Sequence, residues 1–172
     1  VLLLFFAGCV ATGIFGIGRK IPMNRVNDLG QREGYWRDSL GEGITHELYY
    51  KGGKKDGLFK CFIRNELFLF GEYTADNISG TWYMFGDEGE LRCTIDSIEL
   101  NKDSIYTGYC RIFCKYKCYC ADYYPSGAVK SEGYMVCDED FMVDFWEIGE
   151  WKYYDESGNL IKTKDYGDRR TP

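Results

Sequence analysis

The run YCRIFCKYKCYC, Tyr109 to Cys120, places four cysteines, at 110, 114, 118 and 120, within eleven residues. Thiols at such density can ligate a soft metal, form a redox pair, or fill a core as small apolar side chains. At a strand period of two, Cys110, Ile112, Cys114, Tyr116, Cys118 and Cys120 share one face, while Arg111, Phe113, Lys115, Lys117 and Tyr119 share the other. One face is apolar and rich in cysteine, and the other carries the charges. The core reading therefore accounts for the whole run, and no metal site is expected.

Strand geometry opposes a metal on one strand. Residues two apart lie about 6.7 Å from each other, whereas thiolates on one zinc ion lie about 4 Å apart. The remaining set crosses a hairpin. A turn centred on Ser126-Gly127 sets Cys137 opposite Tyr116 and diagonal to Cys118. Cys118, Cys120 and Cys137 then converge only if a bulge intervenes. A disulfide between Cys118 and Cys137 is a similar outsider. Unpaired thiols in this number suit a reducing compartment, hence the cytoplasm.

Other residues with chemical potential lead nowhere sharper. His46 is the only histidine; beside Glu47 it reads as a solvated surface residue, and a triad would also need a positioned nucleophile and orienter. Asp138-Glu139-Asp140 is contiguous and lacks the glycine and alternation of a calcium loop. No phosphate-binding loop appears. The expectation is a non-enzymatic chain with no catalytic residue and no cofactor.

The elements that must position these residues are short strands. The 172 residues include 15 Tyr, 11 Phe, 4 Trp and 21 Gly, a composition of aromatic strands between tight turns. A motif, Gly-x-aromatic, recurs as Gly34-Tyr-Trp36, Gly57-Leu-Phe59, Gly80-Thr-Trp82 and Gly149-Glu-Trp151. The first three glycines are 23 residues apart, and the fourth lies at three times that spacing. Gly108-Tyr-Cys110 reads as a further copy with Cys110 in the tryptophan position. Polar turns follow, as in Asp87-Glu-Gly89 and Tyr154-Asp155-Glu-Ser-Gly158, with Pro125-Ser-Gly127 of the same shape and Lys51-Gly52-Gly53 a variant. The unit is a β-hairpin of about 23 residues, and hairpins of this size bury their aromatic faces only by stacking. The fold class predicted is all-β: tandem antiparallel hairpins forming one extended twisted sheet over residues 23–172, with a short C-terminal tail.

The segments GQREGYW, YYKGGKKDGLFK, YYPSGAVKSEGY and IGEWKYYDESGNLIKTKDY resemble the MORN-variant repeats of YwqK-like bacterial antitoxins. The resemblance spans residues 24–166, more loosely from about 93 to 118. It implies an antiparallel hairpin array without a catalytic site, serving as an antitoxin or protein-binding scaffold.

The net charge of −6 argues against nucleic acid as a partner. Another protein is the expected partner, with a toxin as the candidate, met through exposed aromatics such as Tyr119 and Tyr123 and through strand edges. Residues 1–22 form an apolar leader, read as a non-native extension before Met23 or as a truncated export signal. In the second case Phe6-Ala7-Gly8-Cys9 resembles a lipobox, Cys9 is the lipid attachment site, and the same scaffold is an envelope lipoprotein. A cysteine-based metal module is the second alternative.

Overall fold

A computed structural model describes residues 22–102, 114–138 and 145–167. The apolar leader with Cys9, the motif copy at Gly108–Cys110, and Glu139 with Asp140 lie outside the described residues. The described residues form eleven strands in order. The first six are β1 (Arg25–Val26), β2 (Arg32–Gly41), β3 (Ile44–Lys51), β4 (Lys54–Ile63), β5 (Glu66–Thr74) and β6 (Asn77–Phe85). Then come β7 (Leu91–Leu100), β8 (Tyr116–Tyr123), β9 (Val129–Cys137), β10 (Phe145–Tyr154) and β11 (Leu160–Asp165). Each strand pairs antiparallel with the next, so the chain forms one open sheet in sequence order. The hairpin array predicted from the repeats is the observed architecture.

Two turn classes hold it. The turns at 42–43, 52–53, 64–65 and 75–76 have two residues, both with positive φ. This turn twists in the same sense as the strands it joins. The turns 27–31, 86–90, 124–128 and 155–159 have five residues and share one pattern. The first amide donates to the fifth carbonyl and the fourth amide to the first carbonyl, as in Asp155 N to Asn159 O at 3.0 Å and Gly158 N to Asp155 O at 2.9 Å. Asp155 adds its carboxylate to the amides of Ser157 and Asn159. Gly52-Gly53 thus belongs to the two-residue class and is no variant of the Gly158 turn. Arg64-Asn65 and Ala75-Asp76 escape a glycine-based reading because neither contains glycine.

The motif glycines interrupt the ladder. In β10, Ile148 faces Tyr134 and Lys152 faces Glu132, so Gly133 alone opposes residues 149–151. In β6, Gly71 likewise opposes residues 80–82. Two extra residues, unlike one, leave the side-chain alternation intact, so the aromatic after the glycine still points to the core. Gly149 has φ 59° and Gly80 has φ 65°, a left-handed conformation that costs other residues about 1–2 kcal/mol. A Cβ at Gly149 would meet no atom within 4 Å. Gly149→Ala should therefore lower stability by that backbone cost alone, read as a lower urea midpoint at unchanged slope.

One row of side chains crosses the sheet. Trp36 pairs with Leu48, Leu48 with Phe59, and Phe59 with Gly71. Trp82 pairs with Ile95, Ile95 with Cys120, and Cys120 with Gly133. The Trp82 indole covers Gly71 and the Trp151 indole covers Gly133. The trio Phe59, Gly71, Trp82 is thus repeated as Cys120, Gly133, Trp151. The residue of β8 in the aromatic row is Cys120. Each motif tryptophan has its indole N–H bonded to a carbonyl: Trp36 to Arg25, Trp82 to Ser79, and Trp151 to Tyr134.

Candidate functional site

β7, β8 and β9 bring four thiols together on the core face. Ile95 faces Cys120 and Cys93 faces Asp122, so Cys93 and Cys120 are diagonal neighbours. Their sulfurs lie 3.2 Å apart. Tyr116 faces Cys137 and Cys118 faces Met135, so Cys118 and Cys137 form a second diagonal pair, 3.6 Å apart. The register expected from a Ser126-Gly127 turn is the one observed. All four thiols are free and buried.

The set Cys118, Cys120 and Cys137 does not converge. No register shift interrupts the pairing of β8 with β9 between Tyr116 and Asp122, so the bulge this hairpin required is missing. Cys118 leans toward β9 and Cys120 toward β7. Among the described residues, the group whose ligand atoms all lie within 4.8 Å of one another is Cys93, Cys120 and Asp122. Sequence reasoning missed Cys93 and Asp122 because the register of β7 on β8 depends on the long connection after Leu100, whose path the sequence does not specify.

Cys114 also departs from the expected row. It precedes β8 and packs with Val136, Ile148 and Trp146 in a small second cluster. Val136 alternates with Met135 and Cys137 of the main core, so this cluster occupies the opposite face.

Cys118 and Cys120 are held in the thiol form. The hydrogen bond to Cys137, then burial, pushes the Cys118 thiol up, and the bond to Cys93, then burial, does the same for Cys120. Cys61 is raised by burial alone. A reactive cysteine needs the reverse shift. His46 is half-buried, contrary to the solvated placement expected, and packs edge-on against Phe59 at 5.1 Å. Its cross-strand partner is Cys61, whose raised thiol is the wrong state for a Cys–His dyad.

Beside Cys93 and Cys120 a cavity of about 480 Å³ opens on the core face, lined by Met84, Asp122, Ser131, Glu147 and Tyr153 among others. Phe59, where Cys120 has its counterpart, packs on Trp82 and Tyr73 at 5.5 and 5.8 Å. No ring occupies the Cys120 position, so the core is thinner there. Ser131, itself buried, donates to Asp122 Oδ2 at 2.8 Å and orients that carboxylate.

The opposite face carries aromatics and charges. Tyr119 packs edge-on against Tyr134 at 5.2 Å, and Tyr123 shares a hydrogen bond of 3.1 Å with Thr94 Oγ1. Tyr35 faces Tyr49 there. Burial first, then a hydrogen bond to Glu47, pushes the Tyr35 phenol up to about 12. An unfolded tyrosine titrates at about 10, so the folded state holds this proton more tightly. The contribution is complete below about pH 10 and is lost as pH rises toward 12. Urea unfolding should therefore show a steeper loss of stability across that window in the native chain than in Tyr35→Phe.

Among the described residues no helix is long and apolar enough to cross a membrane. No protein-family model matches the chain, and neither the curated proteins nor the solved structures compared with it contain a match.

Proposed function

We propose that the chain is a non-enzymatic repeat scaffold that binds another protein by accepting a strand at its β11 edge. The observation that supports this is the edge itself. Among the described residues β11 is the last strand in the sheet order, and all six of its residues are exposed. Leu160 and Ile161 are 55% and 64% exposed. An open edge offers unpaired backbone groups, and flanking apolar side chains add affinity. The resemblance to MORN-variant antitoxins makes a toxin protein the first partner class to try. The buried free thiols favour a reducing compartment as the place of action.

The test is affinity capture under native conditions with the full chain and with a Leu160→Glu, Ile161→Glu variant of matched stability. The reading expects a protein retained by the native chain and lost from the variant. Equal capture by both, or capture by neither, overturns it.

A further inference from the structure

We propose that Cys93, Cys120 and Asp122 form a binding site for one zinc ion, with two thiolates and one carboxylate oxygen as ligands and the fourth position open to the adjoining cavity. This site is independent of the β11 edge.

Geometry carries the proposal. Two sulfurs and a carboxylate oxygen already lie mutually within 4.8 Å. Zinc bonds to sulfur and oxygen are about 2.3 and 2.0–2.2 Å, so ligand atoms in a tetrahedral set stand about 3.5–4 Å apart. Widening the 3.2 Å sulfur separation to fit takes only a small side-chain rotation.

A disulfide is disfavoured across a strand diagonal. Diagonal residues on antiparallel strands have Cα atoms about 7–8 Å apart, while a disulfide needs about 4.4–6.8 Å. A bridging ion spans the longer distance without moving the strands. The carboxylate is prepared for ligation, since Ser131 Oγ holds one of its oxygens at 2.8 Å. Metal ligands are oriented by such outer partners.

The neighbouring thiols serve as an internal comparison. Cys118 and Cys137 form the same diagonal, 3.6 Å apart. They do not belong to the three-ligand group, and they do not line the cavity. A third ligand and access distinguish the Cys93–Cys120 pair. On binding, each thiol loses its proton to solvent, and the two thiolates with Asp122 give the bound ion a formal net charge of −1.

The test uses the full chain, reduced and stripped of metal by a chelator, titrated with Co²⁺ and then Zn²⁺. Expected is one Co²⁺ per chain, a thiolate-to-cobalt charge-transfer band, tetrahedral visible bands, and displacement by Zn²⁺. Cys93→Ser and Cys120→Ser should abolish the charge-transfer band or leave a one-thiolate remnant. Ser131→Ala should weaken binding about tenfold, and Cys118→Ser should leave it unchanged. Circular dichroism checks the fold of every variant. If either ligand variant fails to fold, Ser131→Ala and Cys118→Ser decide between the two thiol pairs. Less than one ion per chain, a spectrum without thiolate bands, a tight site that survives Cys93→Ser, or a site lost in folded Cys118→Ser overturns the proposal.

Discussion

Trp82→Ala is expected to destabilise the chain by about 3–5 kcal/mol, the usual cost of deleting a buried aromatic. Trp82 is 1% exposed. Its ring meets Phe59 at 5.5 Å and Tyr73 at 5.2 Å, and it covers Gly71. Its removal leaves a void over a residue with no side chain to fill it, so collapse is poor. Most single domains are stable by about 5–15 kcal/mol, and the variant should stand near the edge of folding. Trp36→Ala should cost less, because Trp36 is only half-buried and packs at the border of the core. Urea unfolding of the two variants, monitored by circular dichroism, gives the order directly.

Gly71→Ala and Gly133→Ala are the second pair of large effects, and their cause is the reverse. Neither glycine has positive φ, so the backbone accepts alanine. A Cβ at Gly71 would fall inside the Trp82 indole, and one at Gly133 inside the Trp151 indole. Overpacking of this kind costs about 1–3 kcal/mol and more where the neighbour cannot move. These rings are also fixed by their N–H bonds to Ser79 and Tyr134. Each alanine should therefore displace a tryptophan, lower the urea midpoint and change tryptophan fluorescence. The effect is specific to the pair: in a Trp82→Leu background, Gly71→Ala should cost much less than in the native chain. Equal costs in the two backgrounds would remove the stacking explanation.

Much of this was legible in the sequence, for physical reasons that differ from residue to residue. The motif Gly-x-aromatic marks bulged strands because only glycine takes the left-handed conformation at Gly80 and Gly149 without strain, and the two extra residues keep the aromatic on the core face. The Pro125-Ser-Gly127 turn fixes the pairing of β8 with β9, and Cys137 falls opposite Tyr116 as the turn dictates. Gly71 and Gly133 carried no signal of their own. Their role appears only when the tryptophans of the next strand lie over them. Cys93 was likewise hidden, since nothing local ties it to Cys120, 27 residues away. The aromatic row shows Cys120 at the place that Phe59 holds in the preceding trio, and the thiols and cavity follow from that exchange of a ring for a small side chain.

One row crosses the sheet, with Trp82 on Gly71 and Trp151 on Gly133. The most direct measurement is the proton chemical shift of these two glycines in assigned NMR spectra. The hydrogen that stands where a Cβ would be built points into the face of an indole, and the ring current must move it upfield. One strongly upfield Hα is expected at Gly71 and one at Gly133, each returning to the ordinary glycine range in Trp82→Leu and Trp151→Leu respectively. Ordinary Hα shifts at both glycines in the native chain would contradict this stacking.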